Sequence, residues 1–77
     1  GMSGIPVIKV LEWVQTDNML ILEHAFDGRE LDISYAYETL KHVVDLWNAK
    51  VMLVTKIDNK KKVISCDENK KITLGDA

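Results

Sequence analysis

From Ile33 to Trp47 the apolar residues recur at Ile33, Ala36, Tyr37, Leu40, Val43, Val44 and Trp47, the spacing that lines one side of a 3.6-residue helix. Glu38, Lys41, His42, Asp45 and Asn48 take the other side. A helix with one apolar stripe must find an apolar surface to lie on, so this stretch constrains the fold more than any other. That surface follows in the chain: in Lys50 to Ile57, Val51, Leu53, Thr55 and Ile57 share one face of a strand while Met52 and Val54 occupy the other. A strand apolar on both faces belongs in the middle of a sheet. Ser34 is the expected N-cap of the helix, with Asp32 the competing choice, and Asn48 is suited to end it in the left-handed conformation. Ahead of it, Asp27, Gly28, Arg29 and Glu30 form a polar turn, with Gly28 where positive φ is needed.

Ile5 to Val14 is ambiguous in period. Ile5, Ile8, Leu11 and Val14 suit a helix with Pro6 in its first turn, whereas Ile5, Val7, Ile8, Val10 and Val14 are β-branched. We read a strand, because Gln15-Thr16-Asp17-Asn18 is turn chemistry and Met19 to Phe26 is a second strand-like run; the pair forms a hairpin with Leu20, Leu22 and Phe26 facing inward and His24 sharing their parity. Beyond Ile57, Asp58-Asn59-Lys60 turns into Val63 to Asp67, and Glu68-Asn69 into Lys70 to Leu74, an antiparallel meander. The expected fold is α+β: a single helix packed on a small antiparallel sheet, in the order β-β-α-β-β-β.

At 77 residues the chain is one domain, of a size at which a core leaves on the order of 3–5 kcal/mol of net stability. Gly1 ahead of Met2 reads as a cloning scar. The single cysteine, Cys66, cannot form an internal disulfide, and small domains without staples often borrow a partner's surface; a cytoplasmic setting and a dimer, or attachment to a longer parent chain, are the expectations. No apolar run approaches the ~18–20 residues of a membrane span. The formal net charge of −2 is unevenly placed, with three basic residues against eight acidic ones in 1–49 and seven lysines against four acids in 50–77. Lys60, Lys61, Lys62, Lys70 and Lys71 sit at or beside turns, where lysine solvates loops and blunts strand edges. The aromatic residues Trp13, Phe26, Tyr35, Tyr37 and Trp47 all precede the lysine-rich part, and Tyr37 and Trp47 fall on the helix stripe as core. A stacking platform for nucleic acid is therefore not expected.

Little in the chain reads as chemistry. His24 and His42 lie eighteen positions apart on different elements, with no Cys or His at metal-ligand spacing, so no metal site is expected. Cys66 has no histidine or helix N-terminus beside it in sequence and reads as an inert structural thiol. No glycine-rich phosphate loop, nucleophile elbow or carboxylate pair emerges from spacing; no catalytic residue and no cofactor are expected.

The run from Leu22 to Leu53 does carry a resemblance. The Gly-Arg-Glu-Leu-Asp turn at Gly28 to Asp32, Tyr35-Ala36, Leu40, Leu46-Trp47 and the Val-x-Leu strand after it resemble the C-terminal segment of the SpoVR family, the stage V sporulation protein R group. Family members are much longer, and where the family tends to have glycine after Leu-Trp this chain has Asn48, which reaches the same left-handed cap. The resemblance implies a cytoplasmic bacterial protein linked to spore cortex formation and no catalytic residues in this segment.

The expected function is a non-enzymatic interaction or regulatory module. In that reading the polar turn, through Arg29, Glu30 and Asp32, and an exposed sheet edge dock against a parent-chain domain, a protein partner or a second copy. The alternative is a small-ligand or enzyme-associated domain with a pocket between helix and sheet near His24 and Trp13. A third is weak anion or nucleic-acid binding through the lysine turns.

Overall fold

The computed structural model describes residues 7–25 and 32–77. In chain order these form β1 (Val7–Val14), a 3-10 turn (Gln15–Asp17), β2 (Met19–Ala25), α1 (Ile33–Trp47), β3 (Lys50–Ile57), β4 (Lys60–Cys66) and β5 (Ile72–Asp76). The five strands make one sheet in the order β1-β2-β3-β4-β5, with β3 at its centre as its two apolar faces require.

The element order matches the expectation, but the sheet is mixed and not antiparallel. β1–β2, β3–β4 and β4–β5 pair antiparallel; β2 and β3 run parallel, with Met19 beside Lys50 and Leu22 beside Leu53. The cause is the connection. Strands joined by a tight turn reverse direction, whereas a helix returns the chain to the end it started from. A 15-residue helix is about 22 Å long at 1.5 Å per residue. β2, with seven residues, covers about 23 Å. The helix therefore carries the chain back the full length of β2, and β3 begins where β2 began.

That parallel start is held by two asparagines. Asn18 (φ 49) before β2 and Asn48 (φ 52) before β3 both take the left-handed conformation, which Asn tolerates better than most residues. The Asn18 side-chain amide donates to the Asn48 carbonyl at 3.1 Å. The Lys50 amide donates to the Asn18 carbonyl at 3.0 Å. At the other end of α1, Asp32 is the N-cap: its carboxylate accepts from the Tyr35 amide at 3.0 Å, so the cap falls to Asp32 and not Ser34.

The core lies between α1 and one face of the sheet. Leu20 and Leu22 of β2, Val51 and Leu53 of β3, and Ile64 and Cys66 of β4 meet Ala36, Leu40 and Val44 of the helix. α1 packs mainly on the central strand β3 and on β4. Trp47, expected in the core, is half exposed at the end of the helix.

The hairpin turns follow from local chemistry. Asp58 and Asn59 both have positive φ (52 and 62) between paired Ile57 and Lys60, the two-residue turn whose twist matches the strands it joins. The Asp67 carboxylate accepts from the Asn69 and Lys71 amides, both at 2.9 Å. This Asx turn uses up 67–71 and delays β5 to Ile72, two residues later than the expected Lys70. Similarly β4 begins at Lys60, so Lys60, Lys61 and Lys62 are strand residues. The expected inward-facing Phe26, the Gly28 turn and the Ile5 start of the first strand lie outside the described residues.

Candidate interaction surface

β1 is an edge strand of eight residues, and among the described residues no strand pairs with its outer side. Its pairing with β2 is irregular between Val10 and Glu12. Val10 opposes Leu22 and Glu12 opposes Ile21, so Leu11 is an extra residue, a β-bulge. After the bulge the faces change parity. Ile8, Val10 and Trp13 lie on the face of buried Leu20, Leu22 and His24, while Lys9 and Glu12 share the helix-free face with Glu23 and Ile21.

Because α1 covers β3 and β4, this edge keeps its apolar residues in solvent. Val10 is 59% exposed, Leu11 51% and Trp13 40%. Trp13 meets Trp47 from the end of α1, with ring centroids 6.0 Å apart and planes tilted by 39°. Leu46, also exposed, precedes Trp47 on the same helix turn. Single exposed apolar residues are ordinary, but Val10 and Leu11 on the same strand as the paired Trp13 make a patch with Trp47.

Among the described residues, the expected Asp32, His24 and Trp13 lie on different parts of the fold. Arg29 and Glu30 lie outside the described residues. Asp32 is the helix cap, a local role that accounts for its position. His24 is buried, with Nδ1 3.3 Å from the Thr55 hydroxyl on β3. Trp13 opposes Leu20 and His24 opposes Ile8, four residues along β2, or about 13 Å at the rise of a strand. The structure brings Trp13 to Trp47 and not to His24.

Electrostatics elsewhere are local. Lys70 pairs with Asp45 at 3.0 Å, tying the β4–β5 turn to the helix. Lys62 pairs with Asp76 across β4 and β5, and this hydrogen bond holds the Asp76 carboxyl below its usual range. Burial, reinforced by Asp67, pushes the Cys66 thiol up, away from the thiolate a nucleophile or metal ligand needs. Among the described residues no buried side-chain nitrogen or oxygen lacks a hydrogen-bond partner, and no three His, Cys, Asp or Glu side chains gather at metal-binding distance. No described helix is long and apolar enough to cross a membrane.

Sequence reasoning missed Val10, Leu11 and Trp47 as surface residues. The adjacent pair Val10-Leu11 was the available signal: two apolar residues in succession break the alternation of a half-buried strand, and a bulge is one way to accommodate them.

The fold and this surface define a class: a two-layer α+β domain, a mixed five-stranded sheet with one helix across one face and an apolar open edge. Within that class the chain belongs to the SpoVR-like C-terminal domain family, whose model matches residues 6–58. Membership ties it to sporulation-related proteins. The match runs from the approach to β1 through the end of β3, so the edge strand, the parallel crossover and both tryptophans fall within the shared region. No curated protein and no solved structure matches the chain.

Proposed function

We propose that this domain is a non-enzymatic interaction module of a cytoplasmic, sporulation-related protein, and that its docking element is the open β1 edge with the Trp13–Trp47 pair beside it. One observation carries the reading: Val10, Leu11 and Trp13 are exposed together on a strand whose outer edge is unpaired among the described residues. An open edge presents a row of backbone donors and acceptors that another strand can satisfy, and apolar side chains along it add the affinity that hydrogen bonds alone do not. Tryptophan at the flank suits an anchor, since large aromatic groups dominate the energetics of interface centres. Capping accounts for Asp32 without a partner, and the sheet edge is the docking element of this reading.

The test is site-specific photo-crosslinking in the source cell, with a benzophenone amino acid at Leu11 and, as control, at Asn59 in the β3–β4 turn. The reading expects discrete crosslinked species from Leu11 and none from Asn59. The same species from both positions, or none from Leu11, would overturn it.

A further inference from the structure

We propose that β1 pairs antiparallel with β1 of a second copy of this chain, the two-fold axis passing through the Val10–Leu11 bulge. This rests on the reading of β1 as a docking edge and names its occupant.

The argument comes from the symmetry of the strand about its bulge. In an antiparallel pair, residues directly opposite share a face. About an axis at the bulge, Lys9 of one copy would oppose Glu12 of the other, and Ile8 would oppose Trp13. In a regular strand 9 and 12, or 8 and 13, point to opposite faces, and such a pairing would set unlike surroundings against each other. Here the bulge absorbs one residue. Lys9 and Glu12 oppose Glu23 and Ile21, two apart on β2, and so share the helix-free face; Ile8 and Trp13 oppose His24 and Leu20 and share the helix side.

Self-pairing therefore places two Lys–Glu pairs on one face and two Ile–Trp contacts on the other, with exposed Val10 and Leu11 at the centre. An edge that carried only apolar residues would accept many strands; opposite charges spaced symmetrically about the bulge favour a copy of itself in this register. Lys9 has a second acidic neighbour in its own chain, Glu23, so it would sit between two carboxylates. An eight-residue strand spans only about 27 Å. Such a contact belongs among small interfaces, with a dissociation constant on the order of micromolar.

The experiment is sedimentation equilibrium from about 1 μM to about 1 mM, a span chosen to bracket that affinity, on the wild type, Lys9→Glu, Glu12→Lys and an equimolar mixture of the two variants. The wild type is expected to dimerise reversibly at twice its 8.7 kDa. Each single variant turns both charge pairs into like-charge pairs and should weaken the dimer on the order of tenfold or more. The mixture restores both pairs and should form heterodimers with near wild-type affinity. Lys9→Glu also sets a glutamate against Glu23 and can lower stability; Glu12→Lys faces Ile21 and keeps the test independent of that effect. A wild type that stays monomeric to 1 mM, a dimer indifferent to both changes, or a mixture that fails to associate would overturn the proposal. A monomeric wild type whose Leu11 crosslinks reach a different protein would sink self-pairing alone. With no Leu11 crosslinks at all, the docking edge falls as well.

Discussion

Leu53→Ala probes the one-sided core most directly, with Met52→Ala as its internal comparison. Leu53 is fully buried at the centre of β3, between Leu22 on β2 and Ile64 on β4 and in the cluster that includes Leu40 of α1. Met52, one residue away, faces the helix-free side and is only partly covered. Truncating leucine removes three carbons, worth about 2.4 kcal/mol at roughly 0.8 kcal/mol each. If the surroundings stay in place, a void on the order of 75 Å³ adds about 1.8 kcal/mol. Both neighbouring strands are locked in register against β3, so little collapse is available, and a loss of about 3–4 kcal/mol is expected. Met52→Ala removes partly wet surface and should cost about 1 kcal/mol. A domain of 77 residues holds a total stability on the order of 3–5 kcal/mol. The first change therefore takes a large share of it and the second does not. Urea denaturation followed by far-UV circular dichroism at low micromolar protein would measure both, with melting shifts of about 4–8 °C per kcal/mol. Equal costs for the two changes, or a Leu53→Ala loss below about 1.5 kcal/mol, would refute the one-sided core.

Other expectations follow from single positions. Asn48→Ala forces a β-carbon with no side-chain compensation into φ 52 and should cost about 1 kcal/mol, while Asn48→Gly should be nearly neutral; equal losses by urea denaturation would remove the left-handed cap as the reason for this residue. Asp32→Ala should cost about 1 kcal/mol and lower helical ellipticity, with Asp32→Asn retaining most of the stability, since either side chain can accept from the Tyr35 amide. The raised Cys66 thiol keeps its proton in the folded state at pH values where the unfolded chain, at the ordinary value of 9.0, begins to lose it. Stability from this group is therefore complete below that value and declines as pH rises past it. Wild-type melting temperature should fall more steeply above pH 9 than that of Cys66→Ala; parallel curves would contradict the assignment. The same burial predicts that a thiol reagent labels Cys66 in urea and not in buffer.

The candidate site was legible only in pieces. Trp13 stands out in the sequence beside His24, but in the fold the two lie four residues apart along β2 and the ring that meets Trp13 is Trp47. Trp47 falls on the helix stripe by period, yet stripe position says only which way a side chain points and not whether anything lies beneath it. The packing of α1 on β3 and β4 decides that, and Trp47 ends half exposed against Trp13 of β1. Arg29 and Glu30 were chosen for charge in a turn, a signal that local capping and loop solvation produce as readily as recognition does.

The sequence by itself determined what is local. The helix period ending at Trp47, the shared face of Val51, Leu53 and Thr55, the Asn48 cap and a turn at Asp58-Asn59 all follow from neighbours within a few positions, because period, capping and turn conformation are short-range effects; the helix start at Ile33 and the β4 start at Lys60 did not. The tertiary structure alone decided which strands run parallel, which edge stays open and which apolar residues remain wet. Those depend on where a helix about as long as β2 returns the chain, and on which strands it then covers. Both are set by packing between residues far apart in sequence, so the mixed sheet and the exposed β1 edge became visible only once the chain was folded.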